Sequence, residues 1–582
     1  MLFQFFPSCR QLVTGAALAS LMGTGHTAAS PAPNEPRTNA IYQDASKPVK
    51  ARVADLLSRM TFLEQLAQTR NVGGILGENA SFDNTTVYSF NNGQGGGSIS
   101  FGNYQNPAYL AAATLEDVIL KFQKNDRLHV PLINVADSVN AAGLKALAAA
   151  IDHELGPPDQ SGMEALSTLS KNPTVAKAVR EAARRVLTLK FLTKTFDEPI
   201  PDLKKLNGSL RTADAMQRNL DITRESMVLL KNDGILPLKN SLLSKVAVIG
   251  PMADIINPGS YAASDYSTGS TILSGIKKIS SDVTFSRGCF RNNDTNFDTM
   301  KAEAVANARN AGLAVVALGS VAQIVDTNAN DRTDGEGFDH ANLDFPGPQN
   351  ELLKAIVETG TPVVLIVSGG QAFSMEYAAN ATNAIIHTFL QGELGGDVLA
   401  EIITGKTNPS GKLTVSIPRL SSAVPIYYNY INSDRKQVGW QVYTDYQSPV
   451  LDRLALYPFG HGLSYTKFDI SGVTVTNNTS THGEITVKAI VKNTGSVQGK
   501  EVVQVYFNQF APDIERPVKN LIRFTKIDLK PGASTTVSFS IPVSELGYFV
   551  NGFKQVDADQ YTIFVGSSSD DADLTATKIV VK

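Results

Sequence analysis

Ten consecutive residues, Asp331-Arg332-Thr333-Asp334-Gly335-Glu336-Gly337-Phe338-Asp339-His340, gather four carboxylates, a histidine and two glycines. A carboxylate on such a loop, beside a strand end, can serve as a general acid if it stays protonated at the working pH. Asp334 and Asp339 would help Glu336 do so, because like charges raise a carboxyl pKa. The same composition also describes a solvated acidic loop, and these residues alone favour that reading. Phosphate is a poor ligand here, since the loop's own charge repels it. His340 is placed either to orient Glu336 or to lie on the surface.

Rival chemistries fare worse. Asp326-Thr327-Asn328-Ala329-Asn330 opens like a calcium loop, but Asp331 stands where glycine is needed and Gly337 where glutamate is needed. Ser368-Gly369-Gly370 is no nucleophile elbow, because Ile366 replaces the first glycine. Gly392-Glu393-Leu394-Gly395-Gly396 lacks dinucleotide spacing. These absences speak against an α/β hydrolase or a nucleotide-binding protein. His387 lies in an apolar run and reads as a core residue. The seven histidines form no zinc pattern.

The elements around the acidic loop are legible. Lys245–Gly250, Leu313–Gly319, Pro362–Val367 and Ala384–His387 are continuous apolar strands. Ala302–Ala311, Gln349–Glu358 and Gly395–Thr404 read as helices between or beyond them. That alternation predicts a mostly parallel sheet covered on both faces, with ligands at the strand C-termini. Ala213–Leu230 reads as a helix running on into Met227–Asn232. Upstream, Val49–Gln68 is helical, and a capping box at Thr61 and Glu64 divides it in two. Asn91–Gly102 reads as a loop, Leu115–Asp126 and Leu144–Ala150 as helices, and Val175–Phe191 as an amphipathic helix. Val130–Val135 is a strand followed by Asp137, and a second strand falls near Gly73–Leu76. After Thr466 the period becomes two, in Ile485–Val491, Glu501–Phe507, Thr535–Ile541 and Tyr561–Val565, which predicts a β-sandwich.

With 582 residues, about three domains are expected. A net charge of −3 and the absence of any basic run give no reason to expect nucleic acid. Arg10, the apolar run Leu12–Met22 and the small residues Thr27 and Ala29 read as a secretory signal over residues 1–29. No other run is long enough for a membrane helix. If the signal is removed, Cys289 is the sole cysteine and no intrachain disulfide forms. Asn79, Asn84, Asn207, Asn293, Asn380, Asn477 and Asn478 head glycosylation sequons that suit a secretory route.

Several of these stretches resemble glycoside hydrolase family 3, the β-glucosidase and β-xylosidase family. Arg52–Thr61 looks like its opening helix; Val130–Ile133 with Asp137–Asn140 looks like an early barrel strand. Ala149–Leu155 and Arg184–Phe191 look like the end of the barrel. Gly335–Asp339, Leu343–Gln349 and Asn408–Leu413 with Ile417-Pro418 are similar to the family's α/β-sandwich domain; Pro458–Thr466 is similar to the junction into its fibronectin type III-like domain. The resemblance implies a partial (β/α)8-type barrel over 39–206, an α/β sandwich over 207–433, a linker over 434–466 and a fibronectin type III-like sandwich over 467–582. It implies Glu336 as acid/base and Asp137 as a ligand of sugar hydroxyls, acting on terminal β-linked sugars without cofactor or metal. Between Asn140 and Ala141 the resemblance jumps, and the family's Ser-Asp-Trp element, whose aspartate is the nucleophile, is not found. Asp152 matches a later family position and reads as a helix-end residue. An impaired or inactive glycosidase is therefore expected, the alternative being a sugar-binding remnant or truncated form.

Overall fold

The computed structural model describes residues 40–68, 71–74, 98–101, 133–135, 171–197, 208, 211–259, 269–321, 333–335, 338–431, 455–476, 479–550 and 552–582. The chain divides into two compact units, one built almost wholly before Pro201 and the other from Asp202 to Lys582.

In the first unit the capping box acts as expected. The Glu64 amide donates to Thr61 Oγ1 at 3.2 Å and the Thr61 amide to Glu64 Oε2 at 2.7 Å. This ends the helix Val49–Arg59 and starts the helix Phe62–Ala67. A third helix, Pro173–Leu192, begins with Asn172 capping and proline at the first position, where no amide is needed. Its face Ala183, Leu187 and Phe191 packs on Val53, Leu56 and Leu57, while Val175, Val179 and Ala182 pack on Leu66. Arg52, buried beneath this contact, is satisfied by both Asp197 oxygens at 2.8 and 2.6 Å. Strands β1 (Asn71–Gly74), β2 (Ser98–Phe101) and β3 (Ile133–Val135) form a parallel sheet in sequential order. β2 corrects the expected loop over Asn91–Gly102: the four-residue alternation Ser-Ile-Ser-Phe is too short to stand out beside three glycines.

The second unit opens with the helix Ala213–Ser226, which stops where Met227 turns extended. The run that follows is strand β4 (Val228–Asn232), not the helix end expected there. The reason is burial: Val228, Leu229 and Leu230 are enclosed on all sides, which a helix end on the surface would not allow. β4 pairs antiparallel with β9 (Ala384–Phe389) at one edge of a six-stranded sheet. The other strands are β5 (Val246–Ile249), β6 (Val283–Ser286), β7 (Leu313–Gly319) and β8 (Val363–Ser368), all parallel, in the order β4-β9-β8-β7-β5-β6. β6 and the helix Ile272–Ile279 went unread in the sequence. Chain direction reverses its march across the sheet between β5 and β7, which is the topological switch point. Strands β5, β7 and β8 are buried along their whole length, as a sheet covered on both faces requires.

A short pair, β10 (Ile417–Pro418) and β11 (Ala455–Tyr457), leads to the β-sandwich. There β12 (Phe468–Val475), β13 (Glu484–Asn493) and β16 (Ser534–Pro542) form one sheet. β14 (Gly499–Gln509), β15 (Asn520–Leu529), β19 (Gln560–Gly566) and β20 (Leu574–Val580) form the other, in the order β15-β14-β19-β20. A hairpin, β17 (Tyr548–Val550) with β18 (Phe553–Gln555), projects beside them. The core is the set of inward residues Ile485, Val487, Val491, Val503, Val505, Phe539, Ile563 and Val565.

Candidate active site

Strand β7 delivers the acidic loop. Past Gly319 the chain runs through Ser320 and Val321 and returns at Thr333, where two bonds close the root: Val321 N to Thr333 Oγ1 at 2.9 Å and Thr333 N to Val321 O at 3.3 Å. Asp334 follows, its Oδ2 accepting from Ser320 Oγ at 2.9 Å and its Oδ1 from the Gly335 amide at 2.7 Å. Gly335 then takes a positive φ of 105°, a turn that suits glycine. Glu336 itself lies outside the described residues, as do Asp137, Asp152, the calcium-like stretch and the sequons at Asn79, Asn84, Asn207, Asn477 and Asn478. Among the described sequons, Asn380 is exposed on a helix and Asn293 is half-buried, its Oδ1 accepting from Thr295 N at 3.1 Å. His340 is partly buried, and its Nε2 has no hydrogen-bond partner in the described structure.

Beneath this root, loops from β5, β7, β8 and β9 meet in one buried polar net. Asn257, fully buried after β5, donates through Nδ2 to Ser320 O at 2.9 Å and to Ser368 Oγ at 3.1 Å. Ser368 Oγ donates to Gln391 Oε1, which also accepts from Thr388 Oγ1 at 3.1 Å. Asn257 Oδ1 and Gln391 Nε2 have no hydrogen-bond partner among the described residues. Gln349, the last residue of the Leu343–Gln349 motif, is equally buried. It accepts from Gly319 N at 2.8 Å and donates to Gly319 O at 2.9 Å, Pro346 O at 3.0 Å and Arg291 O at 3.2 Å. A side chain at Gly319 would place its Cβ 1.7 Å from Ser368 O, so only glycine lets β7 end against β8. These residues position the loop root; Asn257, Ser320, Gln349 and Gln391 carried no sequence signal beyond their place after a strand or within a motif.

His387 sits within β9, fully buried, its Nδ1 accepting from Phe389 N at 3.0 Å. Burial lowers its pKa to about 4, against a small opposing effect of the Val367 carbonyl. It is a neutral core residue, as expected. The glycines of Gly392–Gly396 also find a structural reason: a Cβ on Gly396 would lie 2.0 Å from Thr271 O, so the run permits a close helix contact. Among the described residues no three His, Cys, Asp or Glu side chains gather as a metal site, and no helix is long and apolar enough to cross a membrane.

The remaining motifs tie domains together. Asn408 Oδ1 accepts from Ser464 Oγ and Tyr465 N at 2.9 and 2.8 Å, and its Nδ2 donates to Gln498 O at 3.0 Å. Lys412 bonds Gly462 O and Glu501, both at 2.8 Å. The stretch Asn408–Leu413 is thus a buckle between sheet domain and sandwich.

An α/β sheet domain presenting a pinned acidic loop at its switch point, buckled to a fibronectin-like sandwich, defines a glycosidase-type architecture. Residues 227–465 match the glycosyl hydrolase family 3 C-terminal domain, and residues 501–569 match a fibronectin type III-like domain. The chain belongs to glycosyl hydrolase family 3 through this pair of domains. It is 34% identical to a beta-xylosidase of Formosa agariphila over 71% of this chain and 57% of that protein. It is 32% identical to a periplasmic beta-glucosidase of Salmonella typhimurium over 73% of this chain and 58% of that protein. The chain therefore spans little more than half the length of these relatives. A solved beta-glucosidase from Erythrobacter marinus shares the fold, with a TM-score of 0.76 at 20% identity, over 94% of this chain and all of that one.

Proposed function

We propose that this chain is a secreted, β-glucosidase-type module of family 3, built to release a terminal non-reducing β-linked sugar by the retaining route. In that route a nucleophile attacks the anomeric carbon while a carboxylic acid about 5–5.5 Å away protonates the leaving oxygen, and later activates water. Glu336 is the acid/base: it follows the turn at Gly335, whose root is fixed to β7 by Thr333 and Asp334. That pinned root at the switch point is the observation that carries the assignment. Asp137 binds sugar hydroxyls. No cofactor or metal takes part, and the described sequons at Asn293 and Asn380 are glycosylated on the secretory route.

The first unit is a partial barrel, in which β1, β2 and β3 are successive parallel strands. With no Ser-Asp-Trp element in the sequence, the nucleophile is missing and the turnover of this polypeptide is severely impaired. The test is hydrolysis of an aryl β-glucoside and an aryl β-xyloside by the purified chain. A rate far below ordinary glycosidase rates (about 1–1000 per second) supports the reading; turnover at those rates that Glu336→Gln abolishes would overturn the impairment while supporting the acid/base. A second reading, a non-catalytic sugar-binding remnant, draws on the jump between Asn140 and Ala141 and the missing Ser-Asp-Trp element. Residual turnover separates the two: a slow rate that Glu336→Gln abolishes favours the impaired glycosidase, and glucose binding in calorimetry with no such rate favours the remnant.

A further inference from the structure

The seam between the sheet domain and the sandwich carries a cleft of about 750 Å³ in which nearly every lining charge is paired. At its mouth Glu225, the penultimate residue of the helix Ala213–Ser226, reaches across to the sandwich. Lys500 of β14 bonds one of its oxygens and Lys526 of β15 the other, while Ser410 Oγ donates to that second oxygen at 3.2 Å. Lys526 also reaches Ser410 Oγ at 3.1 Å. One carboxylate on the sheet domain therefore holds two adjacent strands of the other domain.

The opposite end of the seam is built differently. Tyr428 stacks on Phe459 at 4.2 Å and meets Tyr506 edge-on at 5.7 Å, and Gln504 Nε2 donates to Gly460 O at 3.2 Å. No carboxylate is needed for those contacts. One end is a charged clasp and the other an uncharged anchor.

From this arrangement we propose that the seam carries an acid-released latch: protonation of Glu225 frees Lys500, leaves Lys526 only the Ser410 hydroxyl and the Glu225 carbonyl, and loosens β15 at the cleft, while the uncharged Asn408–Gln498 bond and the aromatic end keep the domains joined.

The other charges around Glu225 leave it in control. On its own helix Arg224 is engaged by Glu401, at 2.7 and 2.8 Å, and by Asp221 at 3.1 Å. From the sheet domain Lys406 also bonds Glu401, at 2.8 Å. From the sandwich Asp528 accepts from Gln498 Nε2 at 3.0 Å. Glu401 is thus bound wholly within the sheet domain and cannot open the seam by itself. Lys412 with Glu501 does cross the seam, but both side chains are nearly buried and Glu501 Oε1 also accepts from Val502 N at 2.8 Å. No histidine is among the described lining residues, so the response belongs to carboxylates. Burial raises the Glu225 pKa, but the hydrogen bonds and charges of Lys500 and Lys526 outweigh it and hold the carboxyl below its ordinary 4.5. A depressed carboxyl keeps its contacts above 4.5 and loses them as pH falls through the folded-state value.

Amide exchange on the full chain, corrected for intrinsic rates and followed from about pH 6 to about pH 2.5, tests the latch. β15 is an edge strand, so its amides report local opening. Protection of β15 should fall about tenfold with acid while β13 and β16 stay protected. Glu225→Gln should show the low value already at about pH 6, with no acid step; Lys526→Met should move the midpoint toward the ordinary glutamate value; Glu401→Gln should keep the wild-type step. Wild-type β15 that stays protected in acid overturns the proposal. So does a Glu225→Gln variant that keeps the acid step, or β13 and β16 losing protection together with β15, which is acid unfolding of the sandwich.

Discussion

The two sheets of the second unit solve the same problem with opposite patterns. In the sheet domain β7 is buried at all seven positions and β8 at all six. In the sandwich β13 and β16 alternate, with every second residue turned outward. The first pattern is what helices on both faces impose; the second is one face on a core and one in water. β14 breaks the sandwich's rule, being buried at nine of its eleven positions. Its outer face carries Gln504, which bonds Gly460 O, and Tyr506, which meets Tyr428 edge-on, both partners lying before the sandwich. A strand that stops alternating inside an alternating fold therefore marks the face where the next domain docks.

The sharpest way to break the comparison is to place one charge in each pattern. Leu365→Asp in β8 buries an unpaired carboxylate and should cost at least about 4 kcal/mol, enough to unfold the sheet domain. Ile490→Asp on the outer face of β13, a residue 45% exposed, should cost less than about 1 kcal/mol. Denaturant titration of both variants measures the difference. Next comes Gln349→Leu, which strands the amide and carbonyl of Gly319 at the end of β7 and should cost about 3 kcal/mol by the same assay. The sandwich has its own counterpart in buried Asn493 at the end of β13, which accepts from Thr466 Oγ1 at 2.7 Å and donates to Val497 O at 2.8 Å and Leu529 O at 2.9 Å.

The third prediction is a slope. His387 ionises near 6.5 in an unfolded chain and at about 4 when buried in β9. The unfolded state thus binds a proton that the folded state refuses. Stability is complete well above 6.5 and falls as pH drops toward 4, by about 3 kcal/mol. His387→Phe should flatten that part of the curve, and an unchanged slope would show that another group is responsible. The smallest effect is Tyr506→Phe, which removes the hydroxyl that donates to Gln504 Oε1 and should cost about 1 kcal/mol, read as a drop in melting temperature.

How much of this was legible beforehand follows from the same contrast. β5, β7, β8 and β9 announced themselves because continuous burial writes a continuous apolar run. The alternating strands β13, β16 and β19 were equally clear. β6 and β15 were not: β6 is largely half-exposed at the sheet edge, and β15 carries Lys526 and Asp528 on its outer face and is buried only at Leu529. β4 was mistaken for a helix end because an apolar run joined to a helix gives no period of its own. At the site, the carboxylates and glycines were visible as chemistry-bearing types, whereas Asn257, Gln349 and Gln391 were not. Buried amides that join loops have no periodicity, and their partners are backbone atoms more than thirty residues away in several cases, such as Asn257 with Ser320.

The paired bonds between Val321 and Thr333 have one more consequence. They hold Val321 and Thr333 side by side at the end of β7, so Asp334 and Gly335 take their place from the strand itself. A change that disturbs the end of β7 reaches the Gly335 turn through these two bonds, and a change that leaves them intact leaves the turn where it was.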